Sequence, residues 1–240
     1  MRIRAFCAVL VVLATLAGCV QPMPVPQGSS QIPVEGTTPV LPVDQAAENF
    51  VAVVARVKPV AESYCRSLRR VANCDFQIVI DDRPGQPANA FQSVDRTGRP
   101  ILAFTVPLIR DARNRDELAF VLGHEAAHHI AGHLPRQQNT AEAGAILAGV
   151  LAQVSGGGEQ VIPSAQEFGA FIGARQYSKE FELEADRLGT EIAYMAGFDP
   201  RLGAAFFDRI PDPGDQFLGS HPANADRKRV VADTVALLGG

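Results

Sequence analysis

The chain has 240 residues and no tryptophan, and only 7% of it is aromatic. Its four cysteines are too few to build a disulfide framework in place of a core. Charge of neither sign dominates, with 22 Lys and Arg against 26 Asp and Glu. Without a basic excess there is nothing to hold a phosphate backbone, so nucleic acid is not expected as a partner. The same near-balance, with 47% hydrophobic residues, excludes a disordered chain. Also missing is an apolar run of about 20 residues, the length a bilayer-spanning helix needs. What is concentrated is histidine: four of the five lie between His124 and His133.

The first segment is read as an address. Arg2 and Arg4 precede an apolar run from Ala5 to Ala17, which suits the core of a secretory signal. The run ends in Leu16-Ala17-Gly18-Cys19, which resembles the bacterial lipoprotein box. Residues 1–18 are therefore expected to be a lipoprotein signal peptide and Cys19 the acylated first residue. That would anchor the protein to a membrane of the bacterial cell envelope; Val20 after the cysteine favours the outer membrane, facing the periplasm. Residues 19–43 hold six of the 17 prolines among Gln, Gly, Ser and Thr, and read as an extended tether.

Residues 44–240 form the expected folded domain, without internal repeats. From Phe50 to Leu68 the apolar residues recur at helical spacing, with Pro59 expected to kink or divide the helix. Cys65 and Cys74 flank the step from this helix to a strand at 76–80, and an exported protein is expected to join them. Residues 89–91 and 100–109 read as β-structure, with Thr97-Gly98 as the turn and Ile101–Val106 as an exposed edge. A helix is expected over 116–133, capped by Asn114 with Glu117 completing a capping box. Further helices are expected at 141–154, 166–195, 202–210 and 225–238. The fold class is α+β, mostly helical, with one small sheet beside the helix at 116–133.

His124-Glu125-Ala126-Ala127-His128 matches HExxH, which chance alone would give about once in two hundred such sequences. Helix positions four apart differ by about 40°, so His124 and His128 point to one side and can share a metal, expected to be a single zinc. Glu125, about 100° round, flanks that metal as the base for its water. A third protein ligand is required. Position 134 is Leu, where one class of zinc peptidases carries a histidine, and His133 lies about 140° from His128. His129 and His133 are therefore taken as structural or exposed. In Glu182-Leu183-Glu184-Ala185-Asp186 the core stripe runs through Phe181, Ala185, Leu188 and Ile192. Glu182 and Asp186 share one edge with Gly189 and Ala193, small residues that let a neighbouring helix approach. Glu184 lies about 160° from Glu182. Glu182 is therefore chosen as ligand and Asp186 as acceptor for a zinc histidine.

At this point the chain resembles the gluzincin endopeptidases of peptidase family M48 over roughly 89–230. The matching pieces are NAF at 89–91, HEAAHH at 124–129, YSKEFELEADRLG at 177–189 and HPANADR at 221–227. The resemblance implies a zincin-type metalloprotease domain and agrees with Glu182 and Asp186. It also implies that His221 and Arg227 line the active site. His221 lies in a loop-type sequence and is expected to occupy zinc at rest and serve the oxyanion during turnover. The implied activity is zinc-dependent cleavage of unfolded or misassembled cell-envelope proteins. Two other classes stay open: an inactive metal-bound chaperone-like module, and a zinc hydrolase of cell-wall peptides.

Overall fold

The computed structural model describes residues 40–176, 178–212 and 222–239. Helix α1, Val43–Leu68, buries Phe50, Val53, Val57, Ala61 and Cys65 along one stripe. It runs unbroken through Pro59, contrary to a division there. Pro59 and Ala55 both face solvent, so the carbonyl that loses its bond can be hydrated while the buried stripe holds the helix. Cys65 and Cys74 form a disulfide with Cα atoms 5.8 Å apart, tying the end of α1 to the segment entering the sheet.

The sheet has three strands: β1 Gln77–Asp81, β2 Ala90–Val94 and β3 Pro100–Thr105, in the order β1-β3-β2. β1 pairs parallel to β3 and β2 antiparallel to it. β3 is thus the central strand and not an exposed edge, and five of its six residues are buried. The edge is β2. The expected strand also stops at Thr105. Its hydroxyl accepts from the Leu108 amide, and Pro107 sits in the first turn of α2, Val106–Asp111, where a missing N–H costs nothing.

Helix α3, Arg115–Ile130, is the axis of the domain. Asn114 caps it, accepting from the Glu117 amide at 2.8 Å. The Glu117 carboxylate does not close a capping box. It takes the Arg113 amide at 2.8 Å and both terminal nitrogens of Arg209 at 2.8 and 2.6 Å. Leu118, Leu122, Ala126 and Ile130 enter the main core beside Phe76, Leu102 and Phe104. At the other end α3 stops before His133, where Gly132 adopts φ 67° and starts α4, His133–Val154. α4 pairs with α5, Val161–Gln176, through Gly144 and Gly169. α6, Ser178–Met195, follows; the helix expected over 166–195 is helical on both sides of residue 177, which lies outside the described residues. α7, Pro200–Gly203, a 3-10 turn at Ala204–Asp208 and α8, Asn224–Leu237, close the domain. This is the mostly helical α+β architecture with one small sheet. Among the described residues no helix is long and apolar enough to cross a membrane.

Candidate metal centre

Two helices build the centre. α3 and α6 meet at Gly123 and Gly189, where a Cβ on Gly189 would stand 2.7 Å from the His124 backbone nitrogen. This contact places the middle of α6 directly against the middle of α3. His124 and His128 then face Glu182 across the seam. Their Nε2 atoms lie 3.0 Å apart, and the Glu182 carboxylate oxygens stand 3.5 Å from His124 Nε2 and 3.3 Å from His128 Nε2. Ligands held at about 2.0–2.1 Å in tetrahedral array stand roughly 3.3–3.4 Å from one another, so the three side chains already have the spacing zinc requires. Among the described residues they form a group whose ligand atoms all lie within 4.8 Å.

The histidine nitrogens turned away from this point are both engaged. His124 Nδ1 lies 2.9 Å from Asp186 Oδ1. Arg227 grips the same carboxylate through Nε and Nη2, each at 2.7 Å, and stacks over the Phe207 ring at 4.2 Å. Its Nη2 also stands 3.4 Å from Glu182. Burial pushes the Asp186 carboxyl up, but the hydrogen bonds from Arg227 and His124 outweigh it and hold it below the usual carboxylate range. Burial likewise opposes charge on His124, yet Asp186 and Glu182 together carry its pKa up to about 10. In the metal-free chain a proton therefore sits on His124, and a cation entering between the ligands must displace it.

Glu125 follows His124 on the buried side of α3 and is 8% exposed. Burial is the main cause that raises its pKa above the ordinary carboxylate range, with nearby His124 and His128 opposing it. It opens into a cleft of about 570 Å³ that also takes in His124, His128, Glu182 and Arg227. One wall is Asn89, Ala90, Phe91 and Gln92, at the start of β2; another is apolar, from Val121, Phe206 and Ile210.

The structure brings His124, Glu125, His128, Glu182, Asp186 and Arg227 into one place. His221 and Cys19 lie outside the described residues. Two residues that sequence reasoning set aside are in the centre. His133 is 4% exposed and its Nδ1 lies 2.8 Å from His128 Nδ1. Its Nε2 stands 3.2 Å from Glu184 Oε2. The wheel angle of about 140° assumed that one helix runs from 116 to 133. The signal that would have found His133 is Gly132, a helix-stop residue immediately before it.

The family model of Peptidase family M48 matches residues 52–235. The chain is similar to the mitochondrial metalloendopeptidase OMA1 of Arabidopsis thaliana, 29% identical over 137 residues, which is 55% of this chain and 27% of that protein. It is similar to the beta-barrel assembly-enhancing protease of Escherichia coli K12, 30% identical over 112 residues, 44% of this chain and 23% of that protein. It thus matches only about a quarter of the length of either relative. Metalloprotease LoiP of Escherichia coli K12 is 24% identical over 204 residues, 80% of this chain and 79% of that protein. With the family match running through the whole of α3 and α6 and most of α8, the chain belongs to Peptidase family M48 and carries a metallopeptidase domain.

Proposed function

We propose that the protein is a zinc-dependent metalloendopeptidase of the cell envelope that hydrolyses peptide bonds of unfolded or misassembled envelope proteins. The observation that carries this reading is the convergence of His124, His128 and Glu182 beside a buried Glu125 in a cleft edged by β2. When bound there, zinc would acidify a water and polarise the scissile carbonyl. Glu125 takes the proton of that water and delivers it to the leaving amine, a task for which a carboxyl with raised pKa is suited. Arg227, committed through Nε and Nη2 to Asp186, acts by holding that carboxylate against His124. The oxyanion is left to His221.

Among the described residues β2 has a strand on one side only, and Ala90, Phe91 and Gln92 line the cleft. An extended peptide added to that edge is bound by its main chain, with weak demand on its side chains. Such binding requires the substrate to be unfolded locally. The similarity to LoiP and to the beta-barrel assembly-enhancing protease supports an envelope setting. The Cys19 box supports attachment to the membrane by a lipid anchor, probed by mass spectrometry of the native N-terminus.

The test is digestion of an unfolded protein by the wild-type chain and by Glu125→Gln, with zinc quantified in both. Zinc retained at one per chain with proteolysis abolished is the expected result. Proteolysis undiminished in Glu125→Gln, or zinc lost along with it, overturns the assignment of Glu125 as a base outside the ligand set.

A further inference from the structure

We infer that His133 is a positioning residue for the metal centre: it fixes the tautomer and ring orientation of His128, and Glu184 in turn fixes His133. The inference rests on the metallopeptidase reading of His124, His128 and Glu182. His128 presents Nε2 to the other two ligands, so a metal there requires the ring proton on Nδ1. Among the described residues, the partner that Nδ1 meets is His133 Nδ1, at 2.8 Å. The two nitrogens bond only if one donates and the other accepts. His128 therefore donates and His133 accepts, which places the His133 proton on Nε2. That proton points at Glu184 Oε2, 3.2 Å away. Glu184 is itself held by Arg136 at 2.8 Å and by Arg70 at 3.1 Å. One proton arrangement satisfies every member of the chain, and it is the arrangement that leaves His128 Nε2 free to ligate.

Packing removes the remaining freedom. The Phe181 ring lies flat on His133, with centroids 4.5 Å apart and planes within 9°, and the Arg136 guanidinium stands 4.3 Å from the centre of the Phe181 ring. With His133 4% exposed, water does not compete for its Nδ1. The two ligand histidines are thus supported alike but at different remove. His124 donates directly to an arginine-held carboxylate, whereas His128 reaches one through a neutral imidazole. Outer partners of this kind change metal affinity by about ten- to a hundredfold when removed.

The experiment measures zinc affinity by chelator competition, and the absorption spectrum of the cobalt-substituted protein, for three variants. His133→Phe keeps a flat ring against Phe181 but removes the acceptor; zinc should bind about ten- to a hundredfold more weakly. His133→Asn offers a carbonyl oxygen where Nδ1 stood and should restore affinity to within a fewfold of wild type, with a wild-type cobalt spectrum. Glu184→Leu leaves the His133 tautomer unset and should lose about tenfold. Wild-type zinc affinity in His133→Phe overturns the inference. So does equal loss in His133→Phe and His133→Asn, since packing alone would then explain it. If His133→Phe does not fold without zinc, Glu184→Leu decides: unchanged affinity there refutes the relay. A chain whose zinc affinity follows this order but which cleaves no protein would refute the peptidase reading and leave this one standing.

Discussion

Gly189→Ala is the perturbation most directly set by the backbone. The added Cβ would stand 2.7 Å from His124 N, 2.9 Å from His124 Cα and 3.0 Å from Gly123 C. All three neighbours are main-chain atoms of α3, so no side chain can rotate out of the way. Carbon atoms settle at about 3.5–4.0 Å, so the helices must part by roughly 0.8 Å at this point. Overpacking of this kind costs about 1–3 kcal/mol, equivalent to about 2–12 °C in Tm for a domain near 200 residues. The same separation moves Glu182 away from His124 and His128 by several times the roughly 0.2 Å that metal–ligand distances tolerate. Zinc affinity should fall about tenfold or more, together with Tm. The control is Gly144→Ala in the α4–α5 pair, where a Cβ would meet Gly169 O at 2.2 Å. It should lose stability but keep zinc affinity, because that pair supplies no ligand. Differential scanning calorimetry with zinc titration separates the two effects. A Gly189→Ala protein that melts within about 1 °C of wild type and binds zinc equally well would refute the claim that close backbone contact sets the centre.

Arg227→Met should destabilise the chain by about 3–5 kcal/mol, because it removes the bidentate guanidinium from the fully buried Asp186 and leaves it His124 alone. Adding Asp186→Asn should recover part of that loss in urea unfolding; a double variant no more stable than Arg227→Met would refute the pairing argument. Glu125→Gln should make the zinc-free protein more stable at pH 7, since burial raises the Glu125 pKa and the fold opposes its ionisation. Below about pH 4 the carboxyl is protonated in both folded and unfolded chains, so the gain should vanish as pH falls through that of a free glutamate. A stability difference independent of pH would show that ionisation of Glu125 is not its source.

Much of the centre was legible because it is local. His124, Glu125 and His128 are fixed by one helix, and Glu182, Asp186 and Gly189 by another, so a wheel drawn on each finds the right edges. The small residue at 189 also foretold the close approach at Gly123. What failed was non-local or assumed continuity. Extending α3 past Gly132, where the chain turns, hides that His133, read as structural or exposed, is buried against His128. The edge expected at Ile101–Val106 is the central strand, because strand order depends on pairing across the sheet, which local pattern does not carry. Arg227 reaches Asp186 across 41 positions, and helical spacing has no bearing on such a pair. Only its place in the HPANADR segment pointed to it.

The electrostatics of the centre demand a positive charge between the ligands whether or not metal is present. Arg227 is engaged bidentately by Asp186 and approaches Glu182 only at 3.4 Å. Glu182 and Glu125 remain close to one another on the wall of the same cleft, and the Glu182 charge is one of the influences raising the Glu125 pKa. In the metal-free chain a proton on His124, held with a pKa of about 10, supplies part of the missing charge. A dication held by His124, His128 and Glu182 would supply more. Ligation by His124 would require its Nε2 unprotonated, and a cation there would offset the desolvation that opposes charge on Glu125. His124 would then serve as a ligand, and Glu125 would ionise more readily as a base. Asp186 stays anionic throughout, since Arg227 holds it in either state, and so His124 keeps one orientation while its role changes.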